Sequence, residues 1–156
     1  MNRKTTDLLV LFVFLAVTLA VGFTASLVTT PNIHGWYEAL HKPSFNPPNG
    51  IFAPVWTTLY VLMAIAAWRA WRKAGWRPLG LYALQLAVNF AWSFIFFGAH
   101  AIAAALVDII LLFVLVLATM RSFWNRDKFA GLLFLPYAAW VLFAGFLNGS
   151  IWRLNG

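Results

Sequence analysis

The chain has 156 residues, 63% of them hydrophobic and 10% charged, with a formal net charge of +7. Soluble domains carry about 25% charged residues, so this composition excludes an ordinary water-soluble protein and indicates an all-α membrane protein. The length suits a bundle of about five transmembrane helices of about 20 residues each and leaves no room for a separate soluble domain.

Arg3, Lys4 and Asp7 precede an uncharged run over about 8–28, which reads as the first span. A cleaved signal peptide has a similar outline, with a basic start and small residues near Ala25. Its apolar core is usually about 7 to 15 residues, shorter than this run, which favours a retained helix. A long structured loop over 29–50 follows. Around it the stretch from Trp36 to Trp56, WYEALHKPSFNPPNGIFAPVW, holds Pro43, Pro47, Pro48 and Pro54. Proline removes a backbone donor and fixes φ, so this stretch is no continuous membrane helix. Its Trp, Tyr and Phe content argues against disorder, and it reads as a folded cap over one end of the bundle.

The second span covers about 51–68, with Pro54 in its first turn, where a missing donor costs little. Arg69, Arg72, Lys73 and Arg77 form a basic connection beside Trp68, Trp71 and Trp76, residues typical of a membrane interface. The third span covers about 79–98 and a turn through His100 leads to the fourth, about 102–120. Arg121, Arg126, Asp127 and Lys128 precede the fifth, about 129–150. The whole chain, 1–156, is one five-helix domain.

Five spans put the amino terminus and the second and fourth connections on one face. All 11 basic residues except Lys42 and Arg153 fall there. In a bacterial membrane that bias places the amino terminus in the cytoplasm and loop 29–50 outside, and it accounts for the positive charge without nucleic acid. The absence of cysteine excludes disulfides, thiolate metal sites and thiol catalysis.

Helical spacing separates two faces of the third span. Ala83, Ala87 and Ala91 make a smooth stripe for a neighbouring helix or for a second protomer in a homodimer. Gln85, Asn89, Trp92, Ser93 and Phe96 lie roughly opposite and should point into the bundle, because amides in a bilayer need partners. Gly145 and Gly149 form a GxxxG pair that fits internal packing or association. Asp108 is the one ionisable residue well inside a span, about two turns from the cap at about 1.5 Å per residue, and is a site candidate or a structural hydrogen-bonding group. Trp56, Asn89, Asp108 and Trp140, with Tyr137 close below it, converge from four helices toward the cap side. They suggest an apolar, aromatic-walled cavity with few polar anchors, or alternatively a tryptophan-filled core.

The runs WYEALHKPSFNPPNGIFAPVWTTLYVLMAIAAWRAW, LQLAVNFAWSFIFFG and PYAAWVLFAGFLN resemble the TspO/translocator protein family, also called tryptophan-rich sensory proteins or peripheral benzodiazepine receptors. The pattern W-Y-x-x-L-x-K-P-S-F-x-P-P followed by F-x-x-x-W-T-x-L-Y carries the resemblance. It implies a five-helix bundle, commonly dimeric, whose first loop covers a cavity for porphyrins, haem-related tetrapyrroles and benzodiazepine-type drugs. By position it implies ligand contact for Trp36, Tyr37, Pro47, Trp56, Asn89, Phe90, Ser93, Asp108, Trp140 and Ala144, with Trp56 and Trp140 flanking a planar tetrapyrrole. No resident cofactor is implied.

Two activities fit the resemblance. One is receptor or transporter-like binding, with ligand carboxylates near the cap or paired with Lys42. The other is light-dependent porphyrin degradation, with Trp56 and Trp140 as electron donors or oxidant traps. A third expectation, sterol binding, ranks lower, because the animal members' motif places a Tyr where LNGSIWR has Gly149 and Ser150. No general acid-base pair or metal cluster is evident for hydrolytic or ordinary redox catalysis. A haem protein would need axial histidines inside facing helices, whereas His34, His41 and His100 all fall at the cap side.

Overall fold

The computed structural model describes residues 2–156. Among them there is no strand, and five helical segments are long and apolar enough to cross a membrane. The first is α1 (Arg3–Asn32), followed after the cap by α2 (Phe52–Ala74). Next come α3 (Leu79–Ser93), prolonged by a wide turn over Phe94–Gly98, and α4 (Ile102–Trp124). The fifth segment is broken into α5 (Lys128–Leu133) and α6 (Leu135–Asn155). Its break precedes Pro136, which cannot donate to the carbonyl one turn back.

Several helices outrun their apolar stretches. α1 spans 30 residues, about 45 Å at about 1.5 Å per residue, against a hydrocarbon layer of about 30 Å. Loop 29–50 is therefore shorter than its sequence suggested, because helix continues through Pro31 to Asn32. At the other end α2 carries Arg69, Arg72 and Lys73 on its last turns, so the connection proper shrinks to Gly75–Pro78. The hydrophobic run marks where lipid ends. The backbone has no reason to stop hydrogen bonding there.

The helices close into a ring. α1 packs against α2 and α3, α4 against α3, α5 and α6, and α2 completes the circuit against α5. Small residues permit the close approaches. Ala64, Ala66, Ala67 and Ala70 of α2 are fully buried, and Gly22 of α1 lies directly against the Tyr60 ring. Gly145 faces Ile109 and Gly149 faces Leu106, so the GxxxG pair serves internal packing of α6 on α4. Ala83 and Ala87, by contrast, stay exposed on the outer surface of α3.

Ion pairs tie the basic end. Arg69 meets Asp127 at 2.9 Å, Arg72 meets Asp7 at 3.2 Å, and the Trp68 indole donates to the Asp7 carbonyl at 2.9 Å. Asp127 also caps α5 by accepting from the N–H groups of Phe129 and Ala130. Burial pushes its pKa up. The Ala130 amide, the Arg69 guanidinium and the Phe129 amide together outweigh that and hold it below the usual carboxylate value.

Candidate ligand site

The centre of the ring is a polar cluster built from three helices. Tyr60 of α2 donates to Asn89 Oδ1 at 2.7 Å, and Asn89 Nδ2 donates to the Tyr137 hydroxyl of α6 at 3.0 Å. Tyr137 in turn donates to Gln85 Oε1 at 2.8 Å, and Gln85 Nε2 lies 3.8 Å from Met63 Sδ. Tyr137 and Gln85 are wholly buried, and Asn89 is 4% exposed. Asn89 thus faces the bundle as its helical position predicted. Both ends of its amide are engaged by protein, which makes it a strut between helices.

Above this floor an aromatic wall climbs the seam between α2 and α6. Trp56 packs at 5.6 Å from Tyr60 and 6.2 Å from Tyr137, measured between ring centroids. One turn nearer the cap, Phe52 meets Trp140 edge-on at 5.9 Å, and Trp140 leans on Phe143 at 5.4 Å. Phe45 of the cap reaches Phe143 at 6.3 Å. Trp56 and Trp140 are half-buried, and Ala144 packs on the same cluster one turn from Trp140. The Trp140 Nε1 atom is buried without an acceptor. A buried donor of that kind is uncommon and costs about 1–3 kcal/mol unless a guest atom meets it.

The cap is held by a few specific bonds. His34 and Gly35 leave helical geometry, and Gly35 takes φ 98°, which glycine adopts without a Cβ clash. Trp36 then stacks on His100 at 4.1 Å and packs edge-on against Phe96 and Phe97, while Tyr37 donates to Asn46 at 2.9 Å. Lys42 gives its ammonium protons to the carbonyls of Tyr37, Glu38 and Leu40. At the far side, Asn155 of α6 holds both the N–H and the C=O of His41, at 2.9 and 2.8 Å.

The ten residues expected at the site therefore divide. Trp56, Trp140 and Ala144 share the wall, with Asn89 joined to it through Tyr137. Trp36 and Tyr37 belong to a second cluster with Phe96 and Phe97, around the end of α3. Pro47 is half-buried in the cap, and its carbonyl accepts from Asn46. Ser93 is half-buried at the last position of α3. Asp108 stands on α4 with a buried Oδ2 and no hydrogen-bond partner.

Phe90 departs from the group. It packs on Phe94, itself 39% exposed, along the outer side that carries Ala83 and Ala87. Trp56 packs on Tyr60 and Tyr137, and Trp140 packs on Phe52 and Phe143, along the seam between α2 and α6. Lys42 is already committed to three carbonyls and is not a free partner for ligand carboxylates. Beneath the cap, Phe45 meets Phe143 and Phe52 meets Trp140 edge-on, at 6.3 and 5.9 Å. Cavities of about 400 and 230 Å³ lie at the basic end, and none of the ten residues lines them.

Sequence reasoning quoted Tyr60 as the last residue of the F-x-x-x-W-T-x-L-Y pattern but gave it no role as the donor to Asn89, because a tyrosine on an apolar helix carries no mark of where its hydroxyl ends. It also missed Asn148, which accepts from the Trp92 indole at 3.1 Å and donates to the Ile102 carbonyl at 3.0 Å. Asn148 is an amide inside a span, the same signal that singled out Asn89.

Comparison with known proteins gives this geometry a lineage. A profile of the TspO/MBR family matches residues 14–153. The chain belongs to the TspO/MBR family. It is 43% identical over 140 residues to the tryptophan-rich protein TspO of Archaeoglobus fulgidus, covering 88% of this chain and 91% of that one. It is 41% identical over 152 residues to protein CrtK of Rhodobacter capsulatus, covering 94% of each. The human translocator protein is 39% identical over 151 residues, covering 87% of this chain and 89% of its own. The TspO/MBR match takes in the cap, the aromatic wall and the Tyr60–Asn89–Tyr137 cluster alike.

Proposed function

We propose that this TspO/MBR protein is a membrane receptor, transporter-like in character, that binds porphyrins and related tetrapyrroles, and benzodiazepine-type drugs, against the Trp56–Trp140 wall beneath the cap. The observation that carries this reading is the wall of half-buried Phe52, Trp56 and Trp140 over the buried Tyr137, in which the Trp140 indole N–H is buried without an acceptor. Aromatic faces of this extent suit a flat, apolar ring. Burial at about 25 cal/mol per Å² supplies several kcal/mol, offset by immobilising the guest. The cap lifts to admit the guest, and the His41–Asn155 bonds are one of the points where it is fastened. Ligand carboxylates then stay at the watery edge of the cap. The relatives named translocator protein fit a carrier role.

Titration of the purified protein with protoporphyrin tests this. Trp56→Phe and Trp140→Phe should each weaken tryptophan quenching and affinity, and an unchanged titration in both would remove the wall from the site.

A second reading, light-dependent porphyrin degradation, draws on the run Tyr60–Trp56–Tyr137, oxidisable side chains spaced 5.6 and 6.2 Å apart. Illumination of the complex separates the two. A carrier returns porphyrin intact, whereas a photochemical protein yields a new absorbing product that the Trp56→Phe, Trp140→Phe double variant no longer makes.

We further propose that the exposed Ala83 and Ala87, with Ala91, form a homodimer interface and that the cap lies outside a bacterial membrane. Ala87→Trp should shift the oligomer toward monomer in sedimentation.

A further inference from the structure

Independently of the cap, the basic end carries a concave site with more donors than acceptors. Two cavities, about 400 and 230 Å³, open there side by side, and Arg3 and Arg72 line both. Arg69 and Lys73 complete the smaller one against Asp127, and Trp71 and Trp76 line the larger with Asp7. The two carboxylates are already committed, one to Arg69 and one to Arg72. Among the described residues Arg3 and Lys73 have no acidic partner, and Arg69 keeps a buried Nε–H with no acceptor. These donors match an anion with several acceptor oxygens.

The surroundings indicate its source. Trp76 is 67% exposed and Phe129, over which Arg69 lies at 4.8 Å, is 53% exposed. Such rings at the end of a spanning bundle sit at headgroup depth. Basic pockets between helices at that level take anionic lipid headgroups, and arginine forks suit phosphate oxygens.

We propose that this pocket binds the phosphate of an anionic phospholipid, with Arg3 and Lys73 contributing the uncommitted charge and Trp71 and Trp76 packing against the upper acyl chain.

Native mass spectrometry of the full chain released from nanodiscs containing both phosphatidylglycerol and phosphatidylcholine tests it. The protein should retain phosphatidylglycerol in preference. Arg3→Gln and Lys73→Gln, which break no ion pair, should each lower that preference about fivefold, in line with the usual contribution of one basic residue near a membrane surface. Arg121→Gln, at the same end but outside both cavities, should leave it unchanged. An equal loss with Arg121→Gln would show general surface charge and overturn the site, as would absence of any preference. If inorganic phosphate at millimolar levels displaces the lipid and stabilises the protein equally in phosphatidylcholine alone, the site takes a free anion and the lipid assignment fails.

Discussion

Removing the Asn89 amide should damage the fold more than the ligand site. Asn89→Ala deletes two interhelical bonds, from Tyr60 at 2.7 Å and to Tyr137 at 3.0 Å. The losses are unequal. Tyr137 still donates to Gln85, whereas the buried Tyr60 hydroxyl is left without an acceptor. Interhelical hydrogen bonds in membranes contribute about 0.6 kcal/mol on average and about 1.7 at most, and an orphaned buried donor costs about 1–3 kcal/mol. The variant should therefore lose about 1 to 3 kcal/mol of stability, read by detergent-titrated unfolding. Tyr60→Phe should lose a comparable amount by orphaning Asn89 Oδ1. In the Tyr60→Phe, Asn89→Ala double variant both partners are gone, so the combined loss should fall short of the sum by about 0.5–1.7 kcal/mol. Porphyrin affinity, meanwhile, should change less than about threefold, because a coupling of this kind lies in the frame. Strict additivity, or a tenfold loss of affinity with unaltered unfolding, would refute the strut and make Asn89 a ligand contact.

Other consequences are simpler to check. Gly22→Ala places a Cβ against the Tyr60 ring, 2.6 Å from Cδ2, and that ring is pinned by its bond to Asn89, so a loss of about 1–3 kcal/mol in thermal or detergent unfolding is expected. Asn155→Ala frees both backbone groups of His41 and should speed proteolysis and hydrogen exchange in residues 41–50, with faster porphyrin exchange in stopped flow. Asp127 has a folded-state pKa below its unfolded one, so its stabilisation is present above about pH 4 and is lost as pH falls through the lowered value. Acid unfolding followed by circular dichroism should show a shallower limb in Asp127→Asn.

Composition and periodicity were enough for the class and the count of helices. A chain with 10% charged residues, divided by prolines and basic clusters into apolar runs of about 20 residues, crosses lipid as helices, because each run is long enough to satisfy its backbone amides within itself. The inward turn of Gln85 and Asn89 was legible for the same reason, since an amide in hydrocarbon must find a partner. Helix ends were not, because hydrophobicity reports the edge of the lipid while the hydrogen-bonded backbone runs past it, as at Arg69 to Lys73.

Tertiary structure alone decided which groups satisfy one another. That Tyr60 takes Asn89, that Lys42 spends its protons on the cap's own carbonyls, and that Phe90 falls outside while Trp56 and Trp140 share a wall depend on how the five helices rotate about their axes. That rotation is set by contacts between distant segments, such as Gly22 on Tyr60 and Gly145 on Ile109, where a single methyl group decides how closely two helices approach. Local sequence carries the faces of each helix. Only their mutual packing fixes which face meets which.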